Sequence, residues 1–125
     1  MQYTTIENAQ GICPSGWHIA SDGDWMQLEF DIGMPYDQVT SLGLRGTNEG
    51  AILKQGGSSG FEALLVGYRN NDGLFYKLDE YGIFATSSNS QISTAMIRQL
   101  FIAHDQIFRQ PTDKNYGISV RCIKD

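Results

Sequence analysis

The sequence predicts an α+β domain, and three observations carry that expectation. A capped stretch with helical spacing stands early in the chain, short apolar runs separated by turn residues fill the second half, and 14 glycines leave little room for long helices. With 125 residues and 41% apolar side chains, the chain is expected to form one domain over residues 1–125, large enough to bury a core without a metal.

The elements follow in chain order. Ser21-Asp22-Gly23-Asp24 reads as a helix start, with Ser21 as N-cap and Asp24 as its acidic partner three residues on. Trp25, Leu28 and Ile32 then share one face at helical spacing, and Gly33 ends the helix. A second short helix is predicted from Asp37 to Leu42, stopped by Gly43. The stretch 43–60 has no strong period, and Gly56-Gly57-Ser58-Ser59-Gly60 marks a loop. It is no phosphate cradle, because neither the Lys-Ser/Thr ending nor a following helix is present.

Phe61 to Arg69 and Leu74 to Leu78 are predicted strands, joined by Asn70-Asn71-Asp72-Gly73, whose residues tolerate positive φ in a hairpin turn. Ile83 to Ser87 reads as another strand, and Met96 to Ile102 with Ile107 to Arg109 as a further pair around Ala103-His104-Asp105-Gln106. Ile118 to Ile123 closes the sheet. The layout is two helices first and an antiparallel, hairpin-rich sheet after them.

Cys13 and Cys122 stand near opposite ends, with no third thiol to compete. A bridge between them would close a loop of more than 100 residues, which the chain-entropy argument values at about 4–5 kcal/mol, and would point outside the cytosol. The first 15 residues lack the basic and apolar regions of a secretion signal. Export then implies a signal segment removed from the chain, a longer parent protein, or release by a phage or lysis route. No apolar run of about 18 residues predicts a membrane span.

The net charge of -5 argues against a nucleic-acid partner. Residues 1–86 hold four basic and eleven acidic side chains, and residues 87–125 five basic and three acidic. Those late positive charges, Arg98, Arg109, Lys114, Arg121 and Lys124, are scattered singly and read as solvated or internally paired.

Several segments carry a resemblance: Cys13-Pro14-Ser15-Gly16-Trp17-His18, Ser21-Asp22 with Trp25, Gly60-Phe61-Glu62-Ala63-Leu64, Gly67-Tyr68-Arg69, and Tyr116-Gly117-Ile118-Ser119-Val120-Arg121-Cys122. On these the chain resembles the Fibrobacter succinogenes major paralogous domain family of secreted and surface-anchored bacterial proteins, lipoproteins among them. The resemblance implies the C-type-lectin-like fold shared with formylglycine-generating enzymes and retroelement-diversified variable proteins. In that fold the domain ends lie side by side, so a Cys13–Cys122 disulfide is implied. The 12 residues before Cys13 are shorter than the family's usual start, which implies a missing or shortened N-terminal strand. Phe84-Ala85-Thr86-Ser87-Ser88 replaces an aromatic-rich block.

No chemistry is legible. With both cysteines bridged, no thiolate remains for a formylglycine-type enzyme, which leaves a degenerate relative as the enzymatic alternative. His18 reads as a framework residue near Trp17 and His104 as an exposed hairpin residue, since zinc needs three or four converging ligands. The animal lectin calcium motifs are absent, and Asn70, Asn71 and Asp72 read as a turn before a calcium site. Ser87, Ser88 and Ser90 are placed in a polar loop without a paired base. Trp17, Trp25, Phe61 and Tyr68 are assigned to the core or the helix-sheet contact. No catalytic residue, cofactor or metal is expected.

What remains is a binding module. Along Met96 to Ile102 successive side chains alternate in direction, so with Arg98 and Leu100 as framework the opposite face displays Ile97, Gln99 and Phe101. In the variable proteins of the superfamily the displayed residues come from this region, and the resemblance implies that part for Ile97, Gln99, Phe101, Ala103, His104, Asp105 and Gln110, against a protein or glycan on a cell or phage surface. The other reading, a sheet covered on both faces within a purely structural module, stays open.

Overall fold

The computed structural model describes residues 6–125. Ser21 accepts from the Asp24 backbone N–H while the Asp24 carboxylate accepts from the Ser21 N–H, so the expected capping box starts α1 (Asp22–Asp31). Two short helices follow, α2 (Tyr36–Val39) and α3 (Glu49–Leu53). The strands are β1 (Trp17–Ile19), β2 (Gly43–Arg45), β3 (Tyr68–Arg69), β4 (Phe75–Tyr76), β5 (Tyr81–Gln91), β6 (Thr94–Phe101), β7 (Ile107–Asp113), β8 (Ser119–Val120) and β9 (Cys122–Lys124). The main sheet has the order β2-β7-β6-β5-β8, antiparallel except for the β5–β8 pair, and β1 pairs with β9 and β3 with β4 in two small ribbons. The α+β layout and the early helices are as the sequence predicts.

Several boundaries differ, each for a local reason. The second helix spans Tyr36–Val39 rather than Asp37 to Leu42, because Pro35 starts it and Gly43 already belongs to β2. Within 43–60 the structure adds β2 and α3. Gly50 hides that helix from a periodicity reading. A side chain at Gly50 would place its Cβ 2.7 Å from the Asp105 and Gln106 carbonyl oxygens, so glycine lets the helix dock against the turn after β6. Phe61 to Val66 is no regular strand, since Gly60, Glu62 and Gly67 all take positive φ and break the extended path. The hairpin keeps two residues per strand around its turn, where Asp72 accepts from the Leu74 N–H and the Tyr76 hydroxyl. Among the described residues strand structure begins at Trp17; the shortened N-terminal strand expected upstream falls partly on residues 1–5, outside the described ones.

Cys13 and Cys122 form a disulfide with Cα atoms 5.8 Å apart, as the resemblance implies. The same end of the molecule is held by β1–β9 pairing, with Ile19 opposite Cys122, and by His18, whose two ring nitrogens face Asp125 (2.6 Å) and Asp24 (3.2 Å) and donate to both when the imidazole is protonated. His18 is thus a framework residue, but through two carboxylates instead of Trp17, which is partly exposed beside Lys124 at the open end of the ribbon and not in the core. The Asp125 hydrogen bond is the largest influence on His18; burial opposes it, and with the further help of Asp24 the pKa is raised above 6.5. A raised folded-state value stabilises the fold below the unfolded value and ceases to do so as pH rises through the folded one. The melting temperature is therefore expected to fall as pH rises from about 6.5, and His18→Gln to flatten that slope; equal slopes in a pH series of thermal melts would refute the clamp.

One face of the main sheet packs on the helices. Trp25, Phe61 and Phe84 meet at centroid distances of 5.5–6.2 Å, with Met34, Val39, Leu53, Leu100 and Ile107 filling the core around them. Ser87 and Ser88 lie buried within β5, not in a loop, because their hydroxyls accept from the Asn8 and Asp22 backbone N–H groups, and Ser88 donates to the Glu7 carboxylate. Ser90 closes β5 on the outside, bonded to Thr94.

Candidate functional site

The second face of the sheet is where the candidate residues gather. The register sets Ile83 opposite Gln99, Ala85 opposite Ile97, and Ile97 opposite Gln110, and directly opposed residues point to the same side. Over this face lie two tyrosines from outside the main strands. Tyr68 of β3 stacks on Tyr76 at 5.8 Å and meets Tyr116 edge-on at 6.0 Å. Together they enclose a cavity of about 210 Å³ whose floor is Ile83, Ile97 and Gln99 and whose sides are Tyr68, Tyr81, Gln110, Thr112, Tyr116 and Ile118. A second hollow of about 360 Å³ shares Ile97, Thr112, Tyr116 and Ile118 with it and continues toward Ile19 and Val120.

The expected display is corrected by this arrangement. Ile97 is 2% and Gln99 7% exposed, so neither stands on an open solvent face. The tyrosines and the 113–118 segment cover the odd positions of β6, and contact is left only through the hollow. Ile97, Gln99 and Gln110 do come together in it, whereas Phe101 does not line it and instead packs its ring 5.2 Å from Tyr81 and 5.4 Å from His104.

Ala103, His104 and Asp105 form a separate, exposed group in the β6–β7 turn. That turn is held from below by α3 and the residue after it. The Gly50 N–H donates to the Asp105 carbonyl at 2.7 Å, and the Lys54 ammonium donates to the Phe101 and His104 carbonyls at 2.9 and 3.0 Å. A loop pinned by three backbone carbonyls presents its side chains at little entropic cost.

Gln99 is the unusual member. The residue is buried, yet its carboxamide makes no hydrogen bond to any other described residue and is open only to the hollow it lines. Gln110 is equally without a side-chain partner among them. Every lining side chain of the smaller cavity is neutral. Among the described residues no three of the His, Cys, Asp and Glu side chains converge in a metal-binding group, and no helix is long and apolar enough to cross a membrane.

Sequence reasoning missed Tyr68, Tyr81, Tyr116 and Thr112 as site residues. Alternation along β5 and β7 points to Tyr81 and Thr112, but Tyr68 and Tyr116 reach the site from segments whose path follows from no local pattern.

The family model for the Fibrobacter succinogenes major domain matches residues 2–124, nearly the whole chain. The chain belongs to that family. In this Fibrobacter succinogenes major domain the bridge joins the Cys13 segment to the Tyr116–Cys122 segment, and Tyr116 of that last segment lines the cavity together with Tyr68. No curated protein and no solved structure matches the chain.

Proposed function

We propose that this chain is a non-enzymatic, extracellular binding module of C-type-lectin-like architecture. Its ligand, a protein or glycan on a cell or phage surface, meets the trough over Ile97, Gln99 and Gln110 and the adjoining turn of Ala103, His104 and Asp105, with Phe101 between them. The disulfide supports an oxidising, extracellular setting, and the side-by-side termini support the architecture. With both sulfurs consumed, no cysteine nucleophile remains in the oxidised chain, which supports a binding role over that of a degenerate formylglycine-generating relative.

The observation that carries the reading is Gln99, a residue only 7% exposed whose carboxamide lines the cavity with no partner among the described residues, left to meet water or a ligand there. A residue held only for the fold is not expected to leave two donors and an acceptor unpaired where leucine would fit among isoleucines. Gln99→Leu is accordingly expected to leave the melting temperature within a few degrees of its parent value, since the amide has no bond to a described residue to lose. A loss exceeding about 1 kcal/mol in a thermal or urea titration would show that the amide serves the fold. It would favour the purely structural module instead.

A further inference from the structure

We propose that the cavity over Gln99 takes one neutral, hydroxyl-bearing six-membered ring, a hexopyranose unit, held without a bound cation. The inference rests on the binding-module reading and names its ligand class. Size comes first. About 210 Å³ holds a single saturated ring with its substituents and not a folded peptide turn, while the adjoining hollow of about 360 Å³ leaves room for the next unit of an oligosaccharide.

Charge comes second. No lysine, arginine, aspartate or glutamate lines the smaller cavity. An ionised ligand group would therefore be buried unpaired at prohibitive cost, and without a carboxylate in the lining a hard cation has no anionic oxygen to bind.

Polarity decides between a sugar and a plain apolar ring. Gln99 and Gln110 each bring one carbonyl acceptor and two N–H donors, unpaired with any described residue. An apolar ring would trap these groups dry. Vicinal hydroxyls donate and accept at once, so two of them satisfy both halves of a carboxamide, and Thr112 adds a hydroxyl at the rim. The axial C–H face of a pyranose meanwhile needs an apolar wall, and the rings of Tyr68 and Tyr116, 6.0 Å apart, supply it beside Ile97.

The test is a titration of the isotope-labelled full chain with D-glucose, D-galactose, D-mannose, D-xylose and N-acetyl-D-glucosamine, and with short oligomers of each, all in the presence of a chelator. The side-chain NH2 resonances of Gln99 and Gln110 are followed. At least one sugar is expected to shift both signals saturably. Gln99→Leu is expected to weaken that sugar about tenfold or more, and Gln110→Ala, at a half-buried position, to weaken it severalfold with the melting temperature retained. Tighter binding of the oligomer than of its monomer marks a polymer's unit, and equal binding marks a free sugar; either supports the proposal. A sugar that binds only without the chelator, or binds both variants as well as the parent chain, overturns it. Shifts of the same two signals by neutral Asn- and Ser-rich hexapeptides, with none by any sugar, overturn the saccharide and leave the binding module standing. If neither class moves them and Gln99→Leu destabilises the fold, both fall.

Discussion

Replacing Glu29 with glutamine is expected to cost about 3–5 kcal/mol, the usual penalty for removing one partner of a buried ion network. Glu29 is fully buried on α1, and its two carboxylate oxygens take Arg98 Nε and Arg45 Nη2, each at 2.5 Å. Asp22, two turns earlier, takes Arg98 at 2.7 Å and Arg109 at 2.6 Å. Three guanidiniums thus stand against two carboxylates, already one positive charge in excess. The glutamine variant doubles that excess around a fully buried position, and glutamine's N–H groups would confront the arginines that Glu29 now accepts from. For a domain of this size the loss corresponds to a fall in melting temperature of roughly 10–25 °C. A shift of only a few degrees would mean that water reaches the cluster and that it does not organise the fold.

The acid limb of stability should report the same cluster. Burial pushes the Asp22 carboxyl up, but Arg109 and then Arg98 outweigh it and hold it below 3.8. Its stabilising effect is accordingly complete above the unfolded value and is lost as pH falls through the folded one. The network's structural sense lies in what it joins: Arg45 also donates to the carbonyl of Val39, the last residue of α2, and Arg109 to that of Thr40, so β2, β6 and β7 are fastened to the helices at one point.

How much of this was legible depends on the range of the signal. The α1 capping box lies within four residues, and the sequence predicts it in full. The Asn70–Gly73 turn is equally local, as is the alternation that puts Arg98 and Leu100 on one side of β6 and Ile97 and Gln99 on the other. The acidic pair was open to reading and missed: Asp22 and Glu29 flank Trp25 at helical spacing, so the buried face of α1 carries two charges along with its aromatic residue. Arg45 stands 16 residues from Glu29, and the other two arginine partners stand 69 to 87 residues away, all beyond any periodicity. The same distance problem defeated the display expectation. Parity identifies which residues share a face, but whether that face is open depends on Tyr68 and Tyr116, which cross it from remote segments after backbone breaks at Gly67 and around 113–117. Trp17 failed for another reason, since a large aromatic ring favours burial only where the sheet extends far enough to cover it, and β1 has three residues.

The second large effect is expected from the bridge. In the paired variant Cys13→Ser with Cys122→Ser the fold should lose about 4–5 kcal/mol, the chain-entropy value for a link spanning 109 residues. A domain of this size commonly has only about 5–15 kcal/mol in total, so the reduced chain would stand close to its unfolding threshold at body temperature. Because that contribution acts by restricting the unfolded ensemble, the folded contacts of β5, β6 and β7 should survive in the variant, and amide exchange there should speed up only as far as the global stability has dropped. The β1–β9 ribbon is different: three residue pairs and the His18 contacts would remain to hold it, so its amides should exchange first, ahead of global unfolding. Reduction by dithiothreitol should reproduce the variant's melting curve. If reduction left that curve within about 1 kcal/mol of the oxidised one, the ends would be held by β1–β9 and His18 alone, and the stability argument for an oxidising compartment would lose its physical ground. If instead the expected loss is seen, a reducing compartment would keep this chain near its unfolding limit, which would tie the proposed residence outside the cytosol to the energetics of the fold and not merely to the presence of two thiols.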